Sequence, residues 1–290
     1  MVVTGRFTTT GACVTIAGEM STERPLAGGM YEDGTVVRVG DTVRRPIRAS
    51  SEAVQKLLIH LERVGFDEAP RFLGIDDKGR EILAYIEGDV PLPPYPAWAL
   101  SDEAIVGLGA LLRRFHEASS RFDARGIVGW STDWSDPRGG PVLCHNDLFP
   151  ENLVFRHGIP VALIDFGEAA PGRPTWDLAI AAEVWAPLTE PGGRTDHQRP
   201  LDAVWRVGLM AKAYGFPPDR AAELVDVIYE ERAASQAHMR AEIADGDEVL
   251  LEYWNKHGGD AQAAADEAWL EDQRASLIES IGRGSGPLAS

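Results

Sequence analysis

Apolar residues recur along this chain with two different periods, and the periods divide it into a strand-bearing first part and a largely helical remainder. Val54, Leu57, Leu58 and Leu61 fall on one stripe of a helix predicted over residues 50–63. Ile105, Leu108, Leu111, Leu112 and Phe115 make a second stripe, on a helix that starts at Ser101, a good capping acceptor followed by Asp102 and Glu103. Strand signals are shorter. Residues 35–39 and 42–45 flank a Gly40-Asp41 turn and predict two paired strands. Residues 81–86 form an apolar strand that runs into Glu87-Gly-Asp-Val-Pro-Leu-Pro-Pro, and the change from β-branched residues to Gly and Pro marks a linker. Further on, residues 152–156 and 161–164 flank His157-Gly158, which predicts a β-hairpin. Helices follow over 176–184, 201–214, 219–243, 247–256 and 260–281.

These elements predict an α+β chain of two lobes. Residues 24–88 form a small mixed sheet lobe, 89–100 a hinge, and 101–281 a larger, mainly helical lobe. Residues 1–23 read as loosely ordered, with Met20 an alternative start, and 282–290 as a frayed tail. Within the loop over 121–141, Trp130 and Trp134 either cap the core or line a cleft. Cys13 and Cys144 make no disulfide framework and match no metal-site spacing, which points to a reducing cytoplasm. No stretch of eighteen apolar residues provides a membrane span, and the first twenty residues lack the apolar centre of a secretory signal. The net charge is −17, of which −11 lies in residues 177–290. Such a field repels nucleic acid and favours a cationic small-molecule partner.

The chemistry concentrates at the hairpin. Folding back at His157-Gly158 sets Asn152 beside Asp165 at its open end, and Asp147 lies five residues before Asn152 on the entering loop. Three oxygen-bearing side chains so placed suit a hard cation such as Mg²⁺. His145-x-Asp147-x-x-x-x-Asn152, then Asp165-Phe166-Gly167, follows the kinase order of catalytic Asp, metal-binding Asn and metal-binding Asp. Phosphoryl transfer asks for positioning and charge neutralisation more than for covalent chemistry, which is why those residue types recur at that spacing.

The same residues, with Ile164-Asp-Phe-Gly-Glu-Ala-Ala-Pro-Gly-Arg-Pro-Thr-Trp-Asp-Leu-Ala179, resemble the aminoglycoside phosphotransferase family, a kinase-like group that includes choline-kinase-like enzymes. Only twelve residues separate Asp165 from Asp177, too few for the peptide platform of a protein kinase, so a small acceptor is favoured. The resemblance implies a protein-kinase-like fold with Asp147 as catalytic base, Asn152 and Asp165 holding Mg²⁺, and Asp177 bracing the catalytic loop. His145 reads as a hydrogen-bonder that orients that loop. The co-substrate implied is ATP or GTP, met by the backbone of Tyr85, Ile86 and Glu87 at the hinge, with Gly28-Gly29 as a weak phosphate-loop candidate.

Two features depart from the family pattern. The strand that normally supplies a phosphate-binding lysine has none, since the first lysine is Lys56. The family's strand ending favours Arg44 in its place, whereas strand alternation puts Arg45 on the face shared with Val43. The helix position that would pair with this cation carries Val54, with Glu52 and Gln55 beside it. For a cationic acceptor the candidate acids are Glu230, Glu231, Asp245, Asp247 and Glu248, chosen because they cluster in sequence. The reaction expected is γ-phosphoryl transfer to a hydroxyl of an aminoglycoside-like or other small acceptor. The alternatives are a metabolic kinase for a choline, sugar or amino-alcohol substrate and a nucleotide-binding pseudokinase without turnover.

Overall fold

The computed structural model describes residues 23–26 and 35–283. Nearly all of the expected loose ends, and the Gly28-Gly29 loop, lie outside the described residues. The sheet lobe holds β1 (Arg24–Pro25), β2 (Val37–Val39), β3 (Thr42–Arg45), α1 (Ser51–Arg63), β4 (Phe72–Ile75) and β5 (Glu81–Ala84). Its strands pair antiparallel in the order β1-β2-β3-β5-β4. The first strand of the predicted pair begins at Val37 rather than Thr35, and the third ends at Ala84 rather than Ile86. Helix α1 buries Val54, Leu57, Leu58 and Leu61, the stripe read from its spacing.

The linker does not swing free. Asp89 exchanges two backbone hydrogen bonds with Phe155, at 2.9 and 2.8 Å, which tacks it onto the hairpin of the other lobe. Gly88 makes this approach possible, because a Cβ there would sit 2.5 Å from the Phe155 carbonyl oxygen. A short 3₁₀ turn, Ala97–Leu100, then delivers the chain to Ser101.

The larger lobe contains α2 (Asp102–Ser119), β6 (Val142–Cys144), β7 (Leu153–Arg156), β8 (Ile159–Leu163), β9 (Ala170–Gly172), α3 (Pro174–Trp185), α4 (Ala203–Tyr214), α5 (Ala221–Asp245), α6 (Glu248–Lys256) and α7 (Gly259–Gly282). Ser101 caps α2 as expected, its hydroxyl accepting from the Ala104 N–H at 3.1 Å. All five residues of the predicted α2 stripe are fully buried, each worth about 1.5–3 kcal/mol over exposure. Gly109 lets α4 come close, since a Cβ there would meet the Met210 carbonyl at 2.7 Å. Helix α2 packs on α4 and touches α3, α5 packs on α3 and α7 on α4, and β6 and β8 rest against α2. No helix among the described residues is long and apolar enough to cross a membrane.

Candidate active site

The hairpin forms as predicted. His157 and Gly158 both adopt positive φ, 54° and 76°, the two-residue turn whose twist matches its strands. The register differs from the expectation by one residue. Leu153 pairs with Leu163, and the Ile164 N–H donates to the Asn152 carbonyl at 2.9 Å, so Asn152 faces Ile164 and not Asp165. Asp165 follows in left-handed conformation, φ 56°, and its carboxylate meets the sheet lobe: Oδ1 is 3.1 Å from Arg45 Nη1 and 3.9 Å from Arg48 Nη1.

The loop entering the hairpin is held from beneath by Asp177, whose side chain is completely buried. Its Oδ2 accepts from the His145 N–H at 2.8 Å and from His116 Nε2 at 2.9 Å, and its Oδ1 accepts from the Asn146 N–H at 2.9 Å. His116 passes the chain on to the Tyr214 hydroxyl, 3.0 Å from Nδ1. Pinned this way, Asn146 takes φ 63°, a conformation that non-glycine residues rarely adopt, and Asp147 follows directly from it. His145 is buried beside this loop: its Nε2 lies 2.9 Å from the Ile164 carbonyl, its ring packs against Phe166, and burial lowers its pKa. His116, Cys144 and Asp177 lie within ligating distance of one another, but both His116 nitrogens are already spent on Asp177 and Tyr214.

Asp147 sits in a field of its own sign. Burial first, then the charges of Asp165 and Glu168, push its pKa up to about 7, with a hydrogen bond from Asn152 opposing them and Glu151 adding to them. The Asn152 amide also donates from Nδ2 to the Asp147 main-chain carbonyl at 3.1 Å, which commits its Oδ1 to the other side of the amide plane. An amide oxygen so oriented and a partly exposed Asp165 carboxylate are the donor set a hard divalent cation takes, so these two residues fit Mg²⁺. Around them, Tyr95 Oη hydrogen-bonds Glu151 at 2.5 Å, and the Ser131 hydroxyl hydrogen-bonds Glu168.

On the nucleotide side, the choice between the two arginines resolves by alternation. Arg45 turns inward, its Nε 2.6 Å from Glu81 Oε2 and its Nη1 on Asp165. Arg44 turns to the other face, where it hydrogen-bonds the Thr42 hydroxyl and lies 3.7 Å from Asp76. The family-based preference for Arg44 is therefore corrected: successive strand residues point to opposite faces, and only Arg45 shares the inner one with Val43. Two of the hinge groups are already engaged as well. The Tyr85 N–H donates to the Asp41 carbonyl at 2.9 Å, and the Glu87 carbonyl accepts from Arg156 Nε at 3.0 Å. Among the described residues, the Tyr85 carbonyl, the backbone of Ile86 and the Glu87 N–H carry no such bond. Gly28 and Gly29 lie outside the described residues.

The proposed acceptor acids do not form a common cluster. Glu230 is tied to Arg138 at 2.7 Å and Arg173 at 3.0 Å. Glu231 is buried, bonded to the Ser235 hydroxyl, and pushed up to about 7 by burial and by Glu183. Asp247 caps α6 by accepting from the Leu250 N–H at 2.9 Å. Asp245 and Glu248 are exposed. Sequence proximity grouped residues that separate helical faces and helix ends divide. The acids that do surround Asp147 are Glu151 and Glu168, each beside a motif residue already singled out. Trp130 packs edge-on to Phe122 and against the core, whereas half-buried Trp134 lies against His238, with centroids 4.4 Å apart, outside the core cluster.

Residues 129–224, which include Asp147, Asn152, Asp165 and Asp177, match the phosphotransferase enzyme family. A curated relative, the trifolitoxin immunity protein of Rhizobium leguminosarum bv. trifolii, is 40% identical over 171 residues, which is 57% of this chain and 62% of that one. The chain thus matches less than two-thirds of that relative's length. Among solved structures, a choline/ethanolamine kinase family protein from Mesorhizobium loti superposes with a TM-score of 0.58 at 16% identity, over 92% of this chain and 94% of that one. The GDP complex of wild-type aminoglycoside 2'-phosphotransferase-IIIa superposes with a TM-score of 0.51 at 15% identity, over 89% and 94%. The two structures establish the kinase-like fold anticipated from the motifs.

Proposed function

We propose that this chain is a phosphotransferase of the aminoglycoside phosphotransferase and choline-kinase-like kind, and that it transfers the γ-phosphoryl of ATP or GTP to a hydroxyl of a small, cationic acceptor of the antibiotic class. The observation that carries this reading is the placement of Asp147: a buried carboxylate on a loop locked by Asp177, next to Asn152 and Asp165. Asp147 aligns the acceptor hydroxyl and takes its proton as the oxygen attacks. Asn152 and Asp165 would hold Mg²⁺, which supplies neutralisation of phosphate charge when bound. Arg45 faces the same position from the sheet lobe, and Ile86 with the Glu87 N–H offers the edge for the base.

The acidic acceptor side, with Glu151 and Glu168 near Asp147, supports a cationic substrate. The relative named as an immunity protein supports an antibiotic as that substrate. The test is nucleoside diphosphate release by purified protein with Mg²⁺ and ATP or GTP, against panels of aminoglycosides and of choline, ethanolamine and sugar alcohols. Turnover with an aminoglycoside, abolished in Asp147→Asn, is expected. Turnover only with the amino-alcohol panel would replace the acceptor class, and nucleotide binding without turnover on any acceptor would leave a pseudokinase.

A further inference from the structure

Kinase-like sites orient their strand cation through an acid on the helix that follows, and here that helix has none in place. Val54 is fully buried in the core, and Glu52 is spent on Lys56 at 2.7 Å on the exposed face. The partner comes from the sheet instead. Strands β3 and β5 pair so that Arg45 stands directly opposite Glu81. Arg45 Nε lies 2.6 Å from Glu81 Oε2, with Glu81 wholly inaccessible to solvent and Arg45 nearly so. Glu81 Oε1 accepts from Gln55 Nε2 at 2.7 Å, the one polar contact from α1 to this pair. The far end of the guanidinium reaches Asp165 in the other lobe.

We infer that Glu81 is the positioning residue for the nucleotide-phosphate cation Arg45, replacing an acid on helix α1, and that Gln55 ties the helix to the pair through a neutral hydrogen bond. The inference rests on the kinase reading above. A buried carboxylate facing a guanidinium is strongly favoured to stay paired, because separating them leaves an unpaired charge in the interior. Across two hydrogen-bonded strands in register, that pair is fixed by the sheet and not by the placement of α1. The planar fork of arginine suits the arrangement: Nε and Nη1 point to different partners, so one side chain can be anchored at Glu81 while its tip serves the seam between the lobes. A lysine ammonium, a compact point charge, has no second anchoring edge.

The experiment is a double-mutant cycle read by calorimetric titration of the full chain with a non-hydrolysable ATP analogue and Mg²⁺. Arg45→Gln and Glu81→Gln are each expected to weaken binding about tenfold or more. The double variant, which leaves no unpaired buried charge, should bind within about threefold of Arg45→Gln, because Glu81 acts only through that cation. The KM of the acceptor should not move. Gln55→Ala should stay within about threefold of the wild type, since it removes only the tie to the helix. Full affinity in folded Glu81→Gln, additive losses in the double variant, or a loss in Gln55→Ala equal to that of Glu81→Gln would each overturn the inference and leave the kinase reading standing. If Glu81→Gln does not fold, Glu81→Asp, which retracts the charge by one methylene, carries the test, and unchanged affinity there overturns it. No binding by the wild type overturns both.

Discussion

Replacing Asp177 with Asn tests whether the catalytic loop is held from the core. The side chain is completely buried and accepts three hydrogen bonds, from the His145 and Asn146 backbone N–H groups and from His116 Nε2. An amide is nearly isosteric, but one of its ends donates. If the amide oxygen takes the Oδ2 position, it keeps His145 and His116, and its NH₂ then faces the Asn146 N–H. That orphaned buried donor costs about 1–3 kcal/mol, and the two retained bonds lose a charged acceptor, a further weakening of about 1 kcal/mol each. The expected destabilisation is therefore about 3–5 kcal/mol, a large share of the stability of a typical domain. Urea unfolding followed by tryptophan fluorescence measures it directly, since Trp176 adjoins the substituted residue. Asn146 also loses the contact that holds its positive φ, so Asp147 should drift, and kcat should fall far more than nucleotide affinity. A loss of less than about 1 kcal/mol, or unchanged kcat, would refute the bracing role.

Glu231 gives a pH dependence whose sign follows from burial. Its pKa rises from 4.5 to about 7 in the fold, so the folded state prefers the protonated acid, and its contribution is fully present below pH 4.5 and lost as pH rises through about 7. Glu231→Gln should remove up to about 3 kcal/mol of that loss, narrowing the difference in denaturant stability between pH 5 and pH 8.5. An unaltered pH profile would contradict it. Gly88→Ala should lower the thermal midpoint, because its Cβ would lie 2.5 Å from both the Phe155 carbonyl and Val154 Cγ1 at a φ of 155°. Overpacking of this kind costs about 1–3 kcal/mol, and an unchanged midpoint would show that the linker does not need its bridge to the hairpin.

What could be read from the residues depended on the range of the interaction that decides them. Helix α2 was legible down to its cap because Ser101 and the apolar stripe act within the element itself. The hairpin turn was legible for the same reason, and the motif spacings carried Asp147, Asn152, Asp165 and Asp177 into one neighbourhood. The one-residue register difference at Asp165 was not legible, because the pairing shifts inside the hairpin, between Val154 and Phe155, where no turn residue announces it. The five acids after residue 229 misled for the opposite reason. Adjacency along a helix scatters side chains around its circumference, and Asp247 has its own work at a helix end. Arg45 and Glu81 stand thirty-six residues apart, and only the β3–β5 register, a long-range pairing, joins them. His116, sixty-one residues before Asp177, carries no motif signal of its own, yet it completes the brace beneath the loop that bears Asp147. The motif residues were local enough to be spelled out in order, whereas the groups that hold them lie across the sheet and the core. In this site the sequence motif therefore marks the candidate side chains, and the packing decides where they point.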